Sequence, residues 1–223
     1  REFAGHGFDP DRLAVVPLGV DPVPEPDPAL VEEAVARHGL GARGGRYLLF
    51  VGTAEPRKGL DVLAEAFGLL GDTEVQLALV GPQGWGSEAD GRGVGTALDG
   101  LGDRVRRLGF VSNDDLVLLR SGAALCCLPS RAEGFGLPVL EAMAAGSPVV
   151  TTSGTPMEEF ASGVAELVPP GDPEALAAAI DSLLEDPRRA ARLAAAGRER
   201  AGEYSWQRSA AAVLDVYERV LAK

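Results

Sequence analysis

Within residues 123–146 a short apolar run, a loop holding Gly134 and Gly136, and a helix-forming segment follow one another, and that order leaves few folds open. The run at 123–128 is too short for a globular helix and reads as a buried strand. Residues 137–145 are rich in helix formers, with Pro138 suited to the first turn and Gly146 to the stop. The first turn of a helix leaves backbone N–H groups unpaired and carries the positive end of the macrodipole, so an anion is the expected guest. Gly134 and Gly136 let the backbone approach that guest with no side chain between. Two carboxylates flank the cradle, Glu133 in the loop and Glu141 eight residues on, inside the helix. Carboxylates repel phosphate, so their expected targets are hydroxyls farther along the same ligand. A phosphate centre with hydroxyls on both sides describes a nucleotide sugar.

The same alternation runs through the chain. Residues 46–52 form a near-continuous apolar run, as expected of a parallel strand covered on both faces. A polar loop follows at 53–59, then a helix with Leu60, Leu63, Ala64, Phe67 and Leu70 on its apolar face. Further strands are predicted at 75–80, 105–108, 148–151 and 165–168, with residues 12–21 as a short strand leading into a turn. Helices are predicted at 29–38, at 113–120 with Asn113 or Asp114 as its cap, and at 156–161. Three more follow, opened by Asp172-Pro173, by Pro187 and by Ser205. The glycine-rich stretch 82–95 reads as a mobile loop. This pattern predicts an α/β fold, a doubly wound parallel sheet of about six strands with C-terminal helices, in one domain spanning 1–223. Such sheets bind ligands outside the carboxyl ends of their strands. The loops after Gly52, Gly81, Leu108 and Leu128 all face that edge.

Charge narrows the partners. Lys and Arg total 21 against 33 Asp and Glu, a formal charge of −12, which argues against a nucleic-acid or anionic-membrane surface. Any phosphate site must therefore be built locally. No apolar run approaches the ~20 residues of a membrane span and no signal segment opens the chain, so a cytoplasmic protein without a transmembrane segment is expected. Cys126 and Cys127 are neighbours in a predicted strand, which excludes a disulfide framework or metal cluster and leaves buried free thiols. His6 and His38 are the only histidines.

The segment Glu133-Gly134-Phe135-Gly136-Leu137-Pro138-Val139-Leu140-Glu141 resembles the E-x7-E signature of the family 4 retaining glycosyltransferases of GT-B architecture, and residues 142–150 resemble its continuation. The resemblance implies the C-terminal donor-binding domain of such an enzyme, transferring a hexose from a nucleoside diphosphate sugar, without metal or other cofactor, to an unknown acceptor. It also implies a missing N-terminal acceptor domain. That agrees with the absence of a starting methionine, and this piece alone is expected to turn over little. Residues 1–28 are then a linker and domain-crossing segment, and 203–223 a helix expected to pack toward the missing domain. The alternative is a free-standing nucleotide or nucleotide-sugar binding module; a related GT-B epimerase fits less well, because Pro138 and the residues after it match the transferases better.

By the same resemblance Arg57 and Lys58, in the loop after the first strand, grip the diphosphate. Preorganised cations there lower the barrier, because cleavage builds negative charge on the leaving oxygens. Relatives often carry another arginine where this chain has Thr53, directly after Gly52, so the division of the work between Arg57 and Lys58 stays open. Glu141 is implied to hold the ribose hydroxyls and Glu133 to lie beside the transferred sugar. Phe135, Gly136 and Leu137 offer backbone N–H groups, and Val111, after Gly109-Phe110, reads the base through its backbone. Two readings stay open for Phe135, site or core packing, and for Arg131, site charge or surface ion pair. Tyr204 and Trp206 are expected to anchor the last helix by packing.

Overall fold

Alternate residues of the first strand serve opposite faces. In the computed structural model, which describes residues 7–9, 12–41, 45–82 and 94–222, β1 is Tyr47–Val51. Leu48 and Phe50 enter one hydrophobic core, with Leu63, Phe67, Leu176, Ile180 and Leu183 from helices on that side. Tyr47 and Leu49 enter the other, with Leu119, Leu140, Met143 and Phe160. A strand buried on both faces needs helices on both, which is the doubly wound arrangement.

The sheet has six strands, adding β2 Gln76–Val80, β3 Val105–Gly109, β4 Leu125–Leu128, β5 Val149–Thr152 and β6 Glu166–Val168. Their order is β3-β2-β1-β4-β5-β6 and every pairing is parallel. The order reverses between β1 and β4, so the loops leaving these two strands diverge to opposite faces and open a crevice at the carboxyl edge. The adjacent cysteines of β4 obey the same alternation, Cys127 in the first core and Cys126 in the second. Burial pushes both thiols up, Cys126 to about 11, so neither is an available thiolate at neutral pH.

The helices are α1 Pro28–Arg37, α2 Leu60–Leu69, α3 Val94–Gly100, α4 Asn113–Gly122, α5 Leu137–Ala144, α6 Glu158–Ala161, α7 Pro173–Glu185, α8 Pro187–Ala201 and α9 Trp206–Leu221. Their starts follow local chemistry. Asp172, Asp186 and Ser205 each accept a backbone N–H of the first turn with a side-chain oxygen, and Pro173 and Pro187 sit where no N–H is needed.

Three expectations change. The cap of α4 is Ser112, whose Oγ accepts from Asp115 N at 3.2 Å, so Asn113 and Asp114 lie inside the helix. Residues 12–21 form no strand. Val20 N donates to Tyr204 O at 3.0 Å and Ser209 Oγ donates to Pro17 O, so this extended segment is bound to the α8–α9 junction and not to a sheet edge. The predicted loop 82–95 ends in the first residues of α3, and 83–93 lie outside the described residues.

Candidate functional site

Crossing from β1 to α2, residues 53–59 include a single turn of 3-10 helix, Pro56–Lys58, that ends on Gly59 at φ 68°. Gly59 lies against the end of β4, where a Cβ would stand 2.1 Å from Pro129 O. Arg131 N donates to Arg57 O at 2.7 Å, and the Arg131 guanidinium donates to Pro56 O at 2.8 Å and to both oxygens of Asp61 at 2.7 and 2.6 Å. Of the two readings of Arg131 the ion pair is therefore the observed one. It latches the loop after β1 to the loop after β4 across the reversal of strand order.

Burial of Asp61 works against its charge, yet the bonds to Arg131 outweigh it and hold the carboxyl below the ordinary aspartate range. A carboxyl lowered in the folded state contributes stability that is complete above its unfolded value and is lost as pH falls through the folded one. Asp61→Asn is thus expected to lower the urea midpoint at pH 7, with the gap from wild type closing as the pH is taken below the aspartate range. A gap constant with pH would show that the latch is not electrostatic.

The latched loops bring the predicted charges together. Glu133 accepts from Lys58 Nζ at 2.6 Å, from Arg57 Nη1 at 3.3 Å and from Ser130 Oγ at 2.9 Å. Arg57 also bonds Glu55 at 2.7 Å. The side chains of Lys58 and Glu133 are only 12% and 9% exposed, while that of Arg57 is 48% exposed. The acid and the bases, expected to face different parts of a ligand, face each other.

Beside them stands the start of α5, on Gly136 at φ 95° with no side-chain cap. Among the described residues the backbone N–H groups of Phe135, Gly136 and Leu137 find no acceptor. Unpaired N–H groups at the positive end of a helix are an arrangement suited to an anion. Glycine at 136 has a reason the sequence did not suggest. A Cβ would strike Met157 Cγ at 2.3 Å, so the constraint comes from packing beneath the loop and not from the ligand side. At Gly134 a Cβ would meet nothing within 4 Å, which leaves open space above the turn. Gly52 and Thr53 continue the same edge at the end of β1, partly buried.

The Phe135 ring packs into an aromatic trio, 5.3 Å from Phe160 and 6.3 Å from Tyr204, so its side chain belongs to the core and only its backbone reaches the cleft. Tyr204 anchors the α8–α9 junction as expected. Trp206, 43% exposed, does not: α9 buries none of its residues, and Leu214, Tyr217, Val220 and Leu221 are exposed with it. The Val111 side chain is buried, which restricts its offer to backbone groups.

The sequence reading missed Arg120. This arginine, in the last turn of α4, is 6% exposed and donates from Nη2 to Glu141 Oε2. Its position was a signal in itself. It falls four residues after Leu116 and one after Leu119, a charge on the inward stripe of an amphipathic helix. Among the described residues there is no group of three or more His, Cys, Asp or Glu placed to hold a metal, and no helix long and apolar enough to cross a membrane.

A doubly wound sheet that gathers a helix N-terminus, cations and carboxylates at the reversal of its strand order defines a nucleotide-binding half of the GT-B kind. Residues 35–200 match the family model described as "Glycosyl transferases group 1", and the chain belongs to that family. It is 33% identical over 222 residues to the MMP alpha-(1->4)-mannosyltransferase of Mycolicibacterium hassiacum, covering 96% of this chain and 50% of that one. It is 36% identical to the D-inositol 3-phosphate glycosyltransferase of Salinispora tropica, covering 96% and 48%. The chain thus spans about half the length of the curated relatives it matches. Among solved structures, sucrose-phosphate synthase from Thermosynechococcus elongatus superposes with a TM-score of 0.77 at 31% identity, covering 93% of this chain and 52% of that one. Anabaena HepE in complex with UDP superposes at 0.84, covering 99% and 60%, and at 22% identity it shows the fold alone.

Proposed function

We propose that this chain is the donor-binding domain of a retaining glycosyltransferase, moving a hexose from a nucleoside diphosphate sugar to an acceptor held by a separate N-terminal domain. The observation that carries this reading is the crevice between β1 and β4, where Lys58 and Arg57 meet Glu133 beside the uncapped start of α5. The diphosphate lies along Arg57 and Lys58 and receives the backbone donors of residues 135–137. Glu141 takes the ribose hydroxyls, Glu133 the sugar, and the backbone at Val111 the base edge. As the glycosidic bond breaks, charge grows on the leaving diphosphate, and each preorganised donor aimed at it is worth ~3 kcal/mol in the transition state. The E-x7-E spacing of Glu133 and Glu141 supports retention. The transferase names of the relatives support a nucleotide-sugar donor. The exposed apolar residues of α9 support the packing of 203–223 toward the acceptor domain.

No protein metal site takes part in this reading. Calorimetric titration with UDP, GDP and ADP, with and without chelator, is expected to show saturable binding of at least one of them, undiminished by chelator. Strict dependence on a divalent ion, or binding of none, overturns the proposal.

A further inference from the structure

Arg120 stands apart from every other cation near the crevice. Its side chain is 7% exposed, it lies on the inward face of α4, and its one side-chain partner is Oε2 of Glu141, itself 33% exposed. Taking a guanidinium out of water costs several kcal/mol unless its donors are met. Here they are not all met: Arg120 Nε is the one buried side-chain nitrogen or oxygen without a partner among the described residues. An arginine kept only for packing would be replaced at less cost by leucine or methionine. The surroundings hold it firmly in place. Ser147 Oγ donates to Arg120 O, and Ser121 Oγ donates to Ala145 O at 3.0 Å, so two hydroxyls tie the end of α4 to the end of α5. The guanidinium is thereby braced behind a carboxylate whose other oxygen, Oε1, accepts nothing among the described residues.

We infer that Arg120 is a positioning residue for ribose recognition: it fixes the rotamer of Glu141 and neutralises its charge, so that Oε1 is presented to the 2′ and 3′ hydroxyls beside an anionic diphosphate. Unbraced, the carboxylate would sample several rotamers, and its negative charge would oppose the phosphates bound at the start of the same helix. The inference rests on the placement of the ribose at Glu141 proposed above, and it adds a residue to that placement on a different helix.

The test compares each of UDP, GDP and ADP with its 2′,3′-dideoxy counterpart in wild type, Arg120→Met and Arg120→Lys, by calorimetry. Wild type is expected to prefer the ribonucleotide by about tenfold, the worth of a hydrogen bond to a charged acceptor. Arg120→Met is expected to bring that preference within about twofold while the affinity for the dideoxy compound holds or falls only slightly. Arg120→Lys, which keeps a cation on a shorter reach, is expected to restore part of it. If wild type shows no preference, the ribose placement fails and takes the inference with it. If wild type discriminates and Arg120→Met discriminates equally, or weakens both compounds by one common factor, the placement stands and the inference is overturned. Should Arg120→Met fail to fold, Arg120→Lys and Arg120→Gln decide on the same ratio: a folded variant with undiminished preference overturns it.

Discussion

Gly59→Ala is expected to destabilise the fold by about 3 kcal/mol and to abolish nucleoside diphosphate binding along with it. The left-handed backbone at φ 68° alone costs an alanine ~1–2 kcal/mol. The new Cβ would stand 2.1 Å from Pro129 O, and a carbonyl in the chain leaving β4 cannot swing away as a side-chain end can. Relief requires the loops after β1 and β4 to part, and their parting breaks the 2.7 Å bond from Arg131 N to Arg57 O and loosens the Arg131–Asp61 pair. Arg57 and Lys58 then leave Glu133 and the start of α5, which is why binding follows stability. Urea unfolding measures the first effect and calorimetry the second. Gly134→Ala is the control, since a Cβ there meets nothing within 4 Å and stability should change by no more than about 0.5 kcal/mol. A loss below about 1 kcal/mol at Gly59 would show that the loops are not rigidly latched.

What could be read in the sequence was what local chemistry spells out. The continuous apolar runs of β1 and β2 follow from burial on both faces, and proline after Asp172 and Asp186 marks two helix starts within a residue. The crevice was legible because a glycine turn between β4 and α5 has few other uses. The pairings inside it were not. Lys58 and Glu133 are 75 positions apart, and they meet because the loops of two neighbouring strands are latched together by Arg131, a contact with no local signature. Arg120 and Glu141 sit on α4 and α5, and only the packing of both helices on one face of the sheet brings them together. The expected short strand within 12–21 failed for a related reason. Its apolar residues satisfy a β pattern, but Val20 is tied to Tyr204 and Pro17 to Ser209, away from any free strand.

The pairing of Glu133 with Lys58 and Arg57 carries the second large effect. A donor entering the crevice must draw Lys58 and Arg57 away from Glu133, so the carboxylate competes with the phosphates for the same cations. Glu133→Gln is accordingly expected to tighten bare nucleoside diphosphate by up to about tenfold at low salt, while removing the extra affinity that an attached sugar gives. The double change Arg57→Ala with Lys58→Ala acts in the opposite direction, weakening the diphosphate by about a hundredfold and the nucleoside hardly at all. It should also lower stability, because it strands a carboxylate that is 9% exposed without a counterion. Adding Glu133→Gln to that pair should recover the stability but not the binding, and this separates the structural role of the cations from their role toward the ligand. The measurement is a set of nucleoside, monophosphate and diphosphate affinities for wild type and the three variants, with urea midpoints alongside. If Glu133→Gln weakens the diphosphate, the carboxylate organises the cations and does not compete for them. If the double change weakens all three ligands alike, Arg57 and Lys58 hold the loop and do not hold the phosphates.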